Sequence, residues 1–164
     1  MINLNEFDLD AFWNECDEIF EEFRREEMPS ECYGWRSWRI EKAFEKHSNG
    51  ALKWVNGIGY DFVEILKPDI RLEFKQVLDA FKIGKTETPN VILKNFRKSS
   101  FEHYDKTFDY ILIVDVDRRI IGVYDWEYVQ SKYVINDATV TAIFEHSQAK
   151  EICTPYSNLF YEIA

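Results

Sequence analysis

Apolar residues near the start of the chain recur at helical spacing. Phe12, Trp13, Cys16, Ile19, Phe20 and Phe23 form one stripe, with acids on the opposite face, and predict a helix over residues 8–27. Met28-Pro29-Ser30-Glu31 breaks it, and a second helical pattern runs from Ser37 to His47, with Trp38, Ala43 and Phe44 available for burial. Ser48-Asn49-Gly50 closes that helix and the pattern turns strand-like: Leu52 to Val55, Gly59 to Ile65, a turn at Lys67-Pro68-Asp69, and a returning arm from Ile70 to Val77. In that arm Ile70, Leu72, Phe74 and Gln76 alternate with Arg71, Glu73, Lys75 and Val77 on the other side. Thr88-Pro89-Asn90 reads as a helix start, followed by Val91, Ile92, Asn95 and Phe96 at helical spacing. Phe108 to Val114 predicts a buried strand that pairs with Ile120 to Tyr124 across the turn Asp117-Arg118-Arg119, and Asp125 to Val129 opens a short helix. Helix, helix, hairpin, helix, hairpin and a less readable tail predict an α/β or α+β fold, with one sheet flanked by helices on both faces.

Composition narrows this to one soluble domain over residues 1–164, an acidic helical segment over 1–31 joined to a core over 32–164. The chain of 164 residues is 46% hydrophobic, 16% aromatic and 30% charged, enough apolar mass for a core and no low-complexity tail. Its longest apolar stretch, Tyr110 to Val114, is far shorter than the roughly 20 residues a membrane helix needs. The start, Met1 to Glu6, lacks the pattern of a secretory signal, so a cytoplasmic address is expected. Cys16, Cys32 and Cys153 are scattered, without the pairing of a zinc knuckle or redox site, and read as reduced packing residues.

The net charge of −10 opposes nucleic-acid binding until its distribution is considered. Residues 1–31 hold 11 acids and 2 bases, whereas the rest of the chain is nearly balanced, with 19 acids and 18 bases. The most basic window, Lys82 to Lys98, carries five bases against the single acid Glu87. Within it Lys94, Arg97 and Lys98 are candidate phosphate contacts; a solvated helix face is the competing reading.

The chemistry-bearing pattern is Glu73-Phe74-Lys75. On a strand, alternation puts the carboxylate and the ammonium about 7 Å apart on one face. Asp61 precedes Glu73 by 12 residues, and a hairpin turning near Pro68 returns it beside Glu73. Two carboxylates suit a hard divalent cation, since Mg²⁺ takes one or two protein carboxylates and keeps positions for water and phosphate oxygens. A cation so held lowers the pKa of bound water and offsets charge on a phosphodiester, and Lys75 can orient the attacking water. No histidine pair has metal-ligand spacing, and neither a nucleophile-elbow serine nor a phosphate-cradling glycine loop is present.

With these residues in that order, the chain resembles the PD-(D/E)XK nuclease superfamily, the fold of many type II restriction endonucleases and of several resolvases and repair exonucleases. The resemblance spans residues 37–126. It implies a restriction-endonuclease-like mixed central sheet flanked by helices, with Asp61 as the first acid, Glu73 as the second, Lys75 as the lysine and the carbonyl of Phe74 as an extra ligand. It also implies a further glutamate on the preceding helix, Glu41, with Glu45 as the less favoured substitute. Pro68-Asp69 reads as a turn and not as the family's Pro-Asp, so Asp61 follows Ile58-Gly59-Tyr60 instead of the family's proline.

The function so implied is Mg²⁺-dependent hydrolysis of DNA, with Mn²⁺ able to substitute, by a restriction-like homodimer in which the striped helix 8–27 can supply the two-fold contact. The rival expectation is a non-enzymatic acidic interaction protein, an immunity protein or nucleic-acid mimic. In that case Asp61, Glu73 and Lys75 stay apart and the acids form one continuous surface.

Overall fold

The structure is a computed structural model. It describes residues 2–55, 59–76, 81–83, 89–97, 108–136 and 139–145, with residues 81–97 and 135–145 by backbone only.

Helix α1 spans Leu9–Arg25. The Asp8 carboxylate caps it, accepting from the Ala11 amide at 3.2 Å, and Arg24 and Arg25 sit in its last turn, where a cation favours the helix dipole. Leu9, Phe12, Trp13, Cys16, Ile19 and Phe23 are buried along one stripe, as their spacing predicts. That stripe is spent inside the chain, so it cannot form the expected homodimer contact. An Asp8→Ala variant is expected to lose about 1 kcal/mol, read as a fall of a few degrees in a thermal melt.

Helix α2 spans Tyr33–Lys46, beginning four residues before the predicted start. It buries Ile40, Ala43 and Phe44, but Trp38, expected in the core, is 42% exposed. Ile40, Ala43 and Phe44 stand at i, i+3 and i+4, which is the buried stripe. Trp38 lies on another. Asn49 (φ 52°) and Gly50 (φ 79°) carry the chain out of the helix in left-handed conformations that suit these two residue types.

The first sheet has the order β1-β2-β3-β6-β7. Strands β1 (Leu52–Trp54), β2 (Phe62–Glu64) and β3 (Arg71–Gln76) form an antiparallel meander, and the Lys67-Pro68-Asp69 turn is closed by the Ile70 amide donating to the Lys67 carbonyl at 2.9 Å. β6 (Tyr110–Asp115) runs parallel to β3, pairing Glu73 with Ile111 and Lys75 with Ile113. β7 (Ile120–Asp125) closes the predicted hairpin with β6, and Arg119 turns it at φ 56°. Helix α3 (Trp126–Gln130) follows at once, capped by the Asp125 carboxylate. The sheet is therefore mixed and flanked by helices, the coarse architecture the sequence implies.

Phe44 centres the core beneath α1 and α2. Its ring lies 5.1–5.3 Å from those of Phe7, Phe12 and Phe74 and 5.9 Å from that of Phe62. Leu112, Val114, Ile121 and Val123 complete that side, and the alternate residues Ile111, Ile113, Ile120 and Tyr124 are buried on the other.

The helix expected after Thr88 is a strand. β5 (Pro89–Arg97) joins β4 (Phe81–Ile83), β8 (Tyr133–Asn136) and β9 (Thr139–Glu145) in a second, antiparallel sheet of order β4-β5-β9-β8. The physical reason is a bulge. β5 pairs Leu93 with Ala142 but Phe96 with Val140, so one extra residue interrupts the two-residue period and makes the apolar spacing look helical. No helix among the described residues is long and apolar enough to cross a membrane.

Candidate active site

The β2–β3 hairpin places the first two acids. Asp61 stands just before β2, where its amide donates to the Leu72 carbonyl (2.9 Å) and its carbonyl accepts from Val55 (2.8 Å). The ladder ends at the Phe62–Leu72 pair, and Asp61, bonded to the Leu72 carbonyl, stands at its end beside Glu73. Gly59, at φ 85°, makes the left-handed step that brings the chain into this position. One Asp61 oxygen, Oδ2, accepts the Phe74 amide at 2.8 Å, and the Asp61 carboxyl is close enough for its charge to act on Glu73.

On β3, Leu72 and Phe74 point into the core while Glu73 and Lys75 project from the other side. Lys75 Nζ is ion-paired with Glu73 Oε1. Glu73 is only 4% exposed, and burial, followed by the Asp61 charge, pushes its carboxyl up to about 7 against the opposing charge of Lys75.

Helix α2 supplies the third acid. Glu41 Oε2 accepts from the Trp54 indole Nε1 at 3.1 Å, which holds the side chain between α2 and β1. Its carboxyl is also pushed up to about 7, by burial first and then by the charges of Asp61 and Glu73, with the Trp54 hydrogen bond and Lys75 opposing. Glu45, one turn on, is engaged in another task. It accepts the Trp54 amide at 2.8 Å and pairs with Lys42, tying α2 to β1. No protein-family model matches the chain and no curated protein matches it.

Glu41, Asp61, Glu73 and Lys75 thus share one electrostatic site of three carboxyls and one ammonium. The like charges crowded there leave a deficit of positive charge that a cation would relieve, and the donors are the hard oxygens that Mg²⁺ prefers. Among the described residues no group of three or more His, Cys, Asp or Glu side chains forms a ready-made metal cage. Two carboxylates, Asp61 and Glu73, match the smaller protein share Mg²⁺ takes, with Phe74 beside them through its amide bond to Asp61.

None of the expected phosphate contacts has its side chain described. Lys94 and Arg97 fall on β5, where the backbone alone is described, and Lys98 lies outside the described residues. The same holds for His103, His146 and Cys153. Of the remaining candidates, His47 Nε2 meets Glu15 Oε2 at 2.6 Å across the α1–α2 contact, and Cys16 is a buried free thiol pushed up to about 12 by burial. Trp54 is the site residue that sequence pattern passes over. Its aromatic ring reads as core, and its indole donor gains meaning only when α2 and β1 meet.

Proposed function

We propose that this chain is a metal-dependent nuclease of the PD-(D/E)XK type, a phosphodiesterase acting on DNA. The observation that carries the reading is the meeting of Asp61 with Glu73-Phe74-Lys75 at the end of the β2–β3 hairpin, within electrostatic reach of Glu41 on the preceding helix. The acidic-partner reading expects these residues to stay apart, and so fits less well.

In the proposed mechanism Asp61 and Glu73 would hold Mg²⁺, or Mn²⁺ in its place. When bound, the cation supplies Lewis acidity and a water of lowered pKa. The Phe74 amide fixes the orientation of the Asp61 carboxylate. Lys75, anchored by Glu73, presents its ammonium where the scissile phosphate oxygens gather charge and orients the attacking water. Glu41, held by Trp54, feels the charges of both acids and would hold water beside them.

The test is incubation with supercoiled plasmid and phage DNA in Mg²⁺ and in EDTA. Cleavage that requires the cation supports the reading, and discrete fragments add sequence specificity. Intact DNA across plasmid, phage and single-stranded substrates would overturn it.

A further inference from the structure

The surface beside the carboxylates is aromatic and basic. Residues 32–46 carry four bases and two acids, in a chain whose first 31 residues hold 11 acids and 2 bases. On α2, Trp35 is 47% and Trp38 42% exposed, large apolar rings left half open to solvent. Cations flank the rings: Arg39 sits 5.3 Å from the Trp35 ring centre and Lys42 Nζ 5.2 Å from that of Trp54. Both cations are also tethered, Arg39 to Glu22 and Lys42 to Glu45, so the side chains are held in place.

This surface is continuous with the site. Trp38 stands three residues before Glu41 on the same helix, about 4.5 Å along its axis. Its ring meets the Trp54 ring edge to face, 6.2 Å between centres at 84°, and Trp54 in turn donates to Glu41. A half-exposed indole therefore lies one residue contact away from the carboxylates.

Resting on the nuclease reading, we infer that Trp38 is a stacking platform for an unpaired base next to the scissile phosphate, so that the chain engages single-stranded, frayed or branched nucleic acid at this site. A paired base inside a duplex has both faces covered by its neighbours. An unpaired base offers a free face, and stacking on an aromatic side chain tolerates any base. The nuclease reading supplies the choice of partner, since the contacts from Trp38 to Trp54 to Glu41 join this ring to the carboxylates.

The test measures binding of a labelled single-stranded oligothymidylate and of a blunt hairpin duplex of equal length, in Ca²⁺, by fluorescence anisotropy. The parent chain is expected to bind the single strand at least about tenfold more tightly than the duplex. Trp38→Ala is expected to weaken single-strand binding about tenfold and Trp38→Phe to restore most of it, the size one stacked base contributes. Equal affinity for both oligonucleotides, or full affinity in Trp38→Ala with native circular dichroism, overturns the inference. So does a concentration-dependent dimer that Trp38→Ala abolishes, which would give the patch to a second copy of the chain. The two readings fail separately. Metal-dependent cleavage indifferent to Trp38 removes the platform and leaves the nuclease, whereas Trp38-dependent binding with no cleavage of any substrate removes the nuclease and leaves the platform.

Discussion

Glu73→Ala and Lys75→Ala variants are expected to lose roughly a thousandfold or more in the rate of DNA cleavage, while retaining the circular dichroism of the parent chain. The two losses differ in kind. Glu73 shares the proposed cation with Asp61, so its removal weakens the response to Mg²⁺ as well as the rate. Lys75 touches the cation only through Glu73, so Lys75→Ala should keep the Mg²⁺ dependence and lose the chemical step. Lys75→Arg is expected to rescue little, because a planar guanidinium cannot replace a compact ammonium in a slot set by Glu73. Single-turnover rates across a Mg²⁺ series separate the cases. A Lys75→Ala variant that cuts at the parent rate would remove the lysine from the mechanism.

Glu41→Gln is expected to stabilise the cation-free protein at pH 8 by ~2 kcal/mol, several degrees in a melt, while lowering activity. The sign follows from the direction of the shift. Folding raises the Glu41 carboxyl from 4.5 to about 7, so the folded chain prefers it protonated. That preference stabilises the fold fully below pH 4.5 and is lost as pH rises through about 7. A glutamine can still accept from the Trp54 indole but never takes the charge. The parent and the variant should therefore melt alike near pH 4 and diverge through neutrality, in EDTA throughout. A constant difference at all pH values would place the effect in packing and not in ionisation. A side chain that destabilises the resting fold at working pH is the trade expected of a functional carboxyl.

Much of this site is legible in the chain itself. Asp61 and Glu73 lie six residues either side of Lys67, so recognising the Lys67-Pro68-Asp69 turn already sets them beside each other. The α1 stripe and the β6–β7 hairpin are equally plain, because their apolar period runs uninterrupted. The β5 strand is not, since its bulge destroys the alternation that distinguishes a strand from a helix. The Tyr133–Asn136 and Thr139–Glu145 hairpin alternates in sequence but gains its role only by pairing with β5, far upstream. Trp38 misleads for another reason: pattern reading counts an indole as apolar and assigns it to the core, while Ile40, Ala43 and Phe44 already fill the stripe that faces it. The burial of Glu73 and the Trp54 bond to Glu41 are tertiary facts, produced where α2 crosses β1 and beyond the reach of local spacing.

The most direct measurement is a Mn²⁺ titration followed by electron paramagnetic resonance, with and without a single-stranded oligonucleotide, on the parent chain and on the Asp61→Asn/Glu73→Gln double variant. Saturable Mn²⁺ binding by the parent is expected, displaced by Mg²⁺ and lost in the double variant while the fold persists. Binding that survives unchanged in the double variant, or no binding by the parent under either condition, would contradict it.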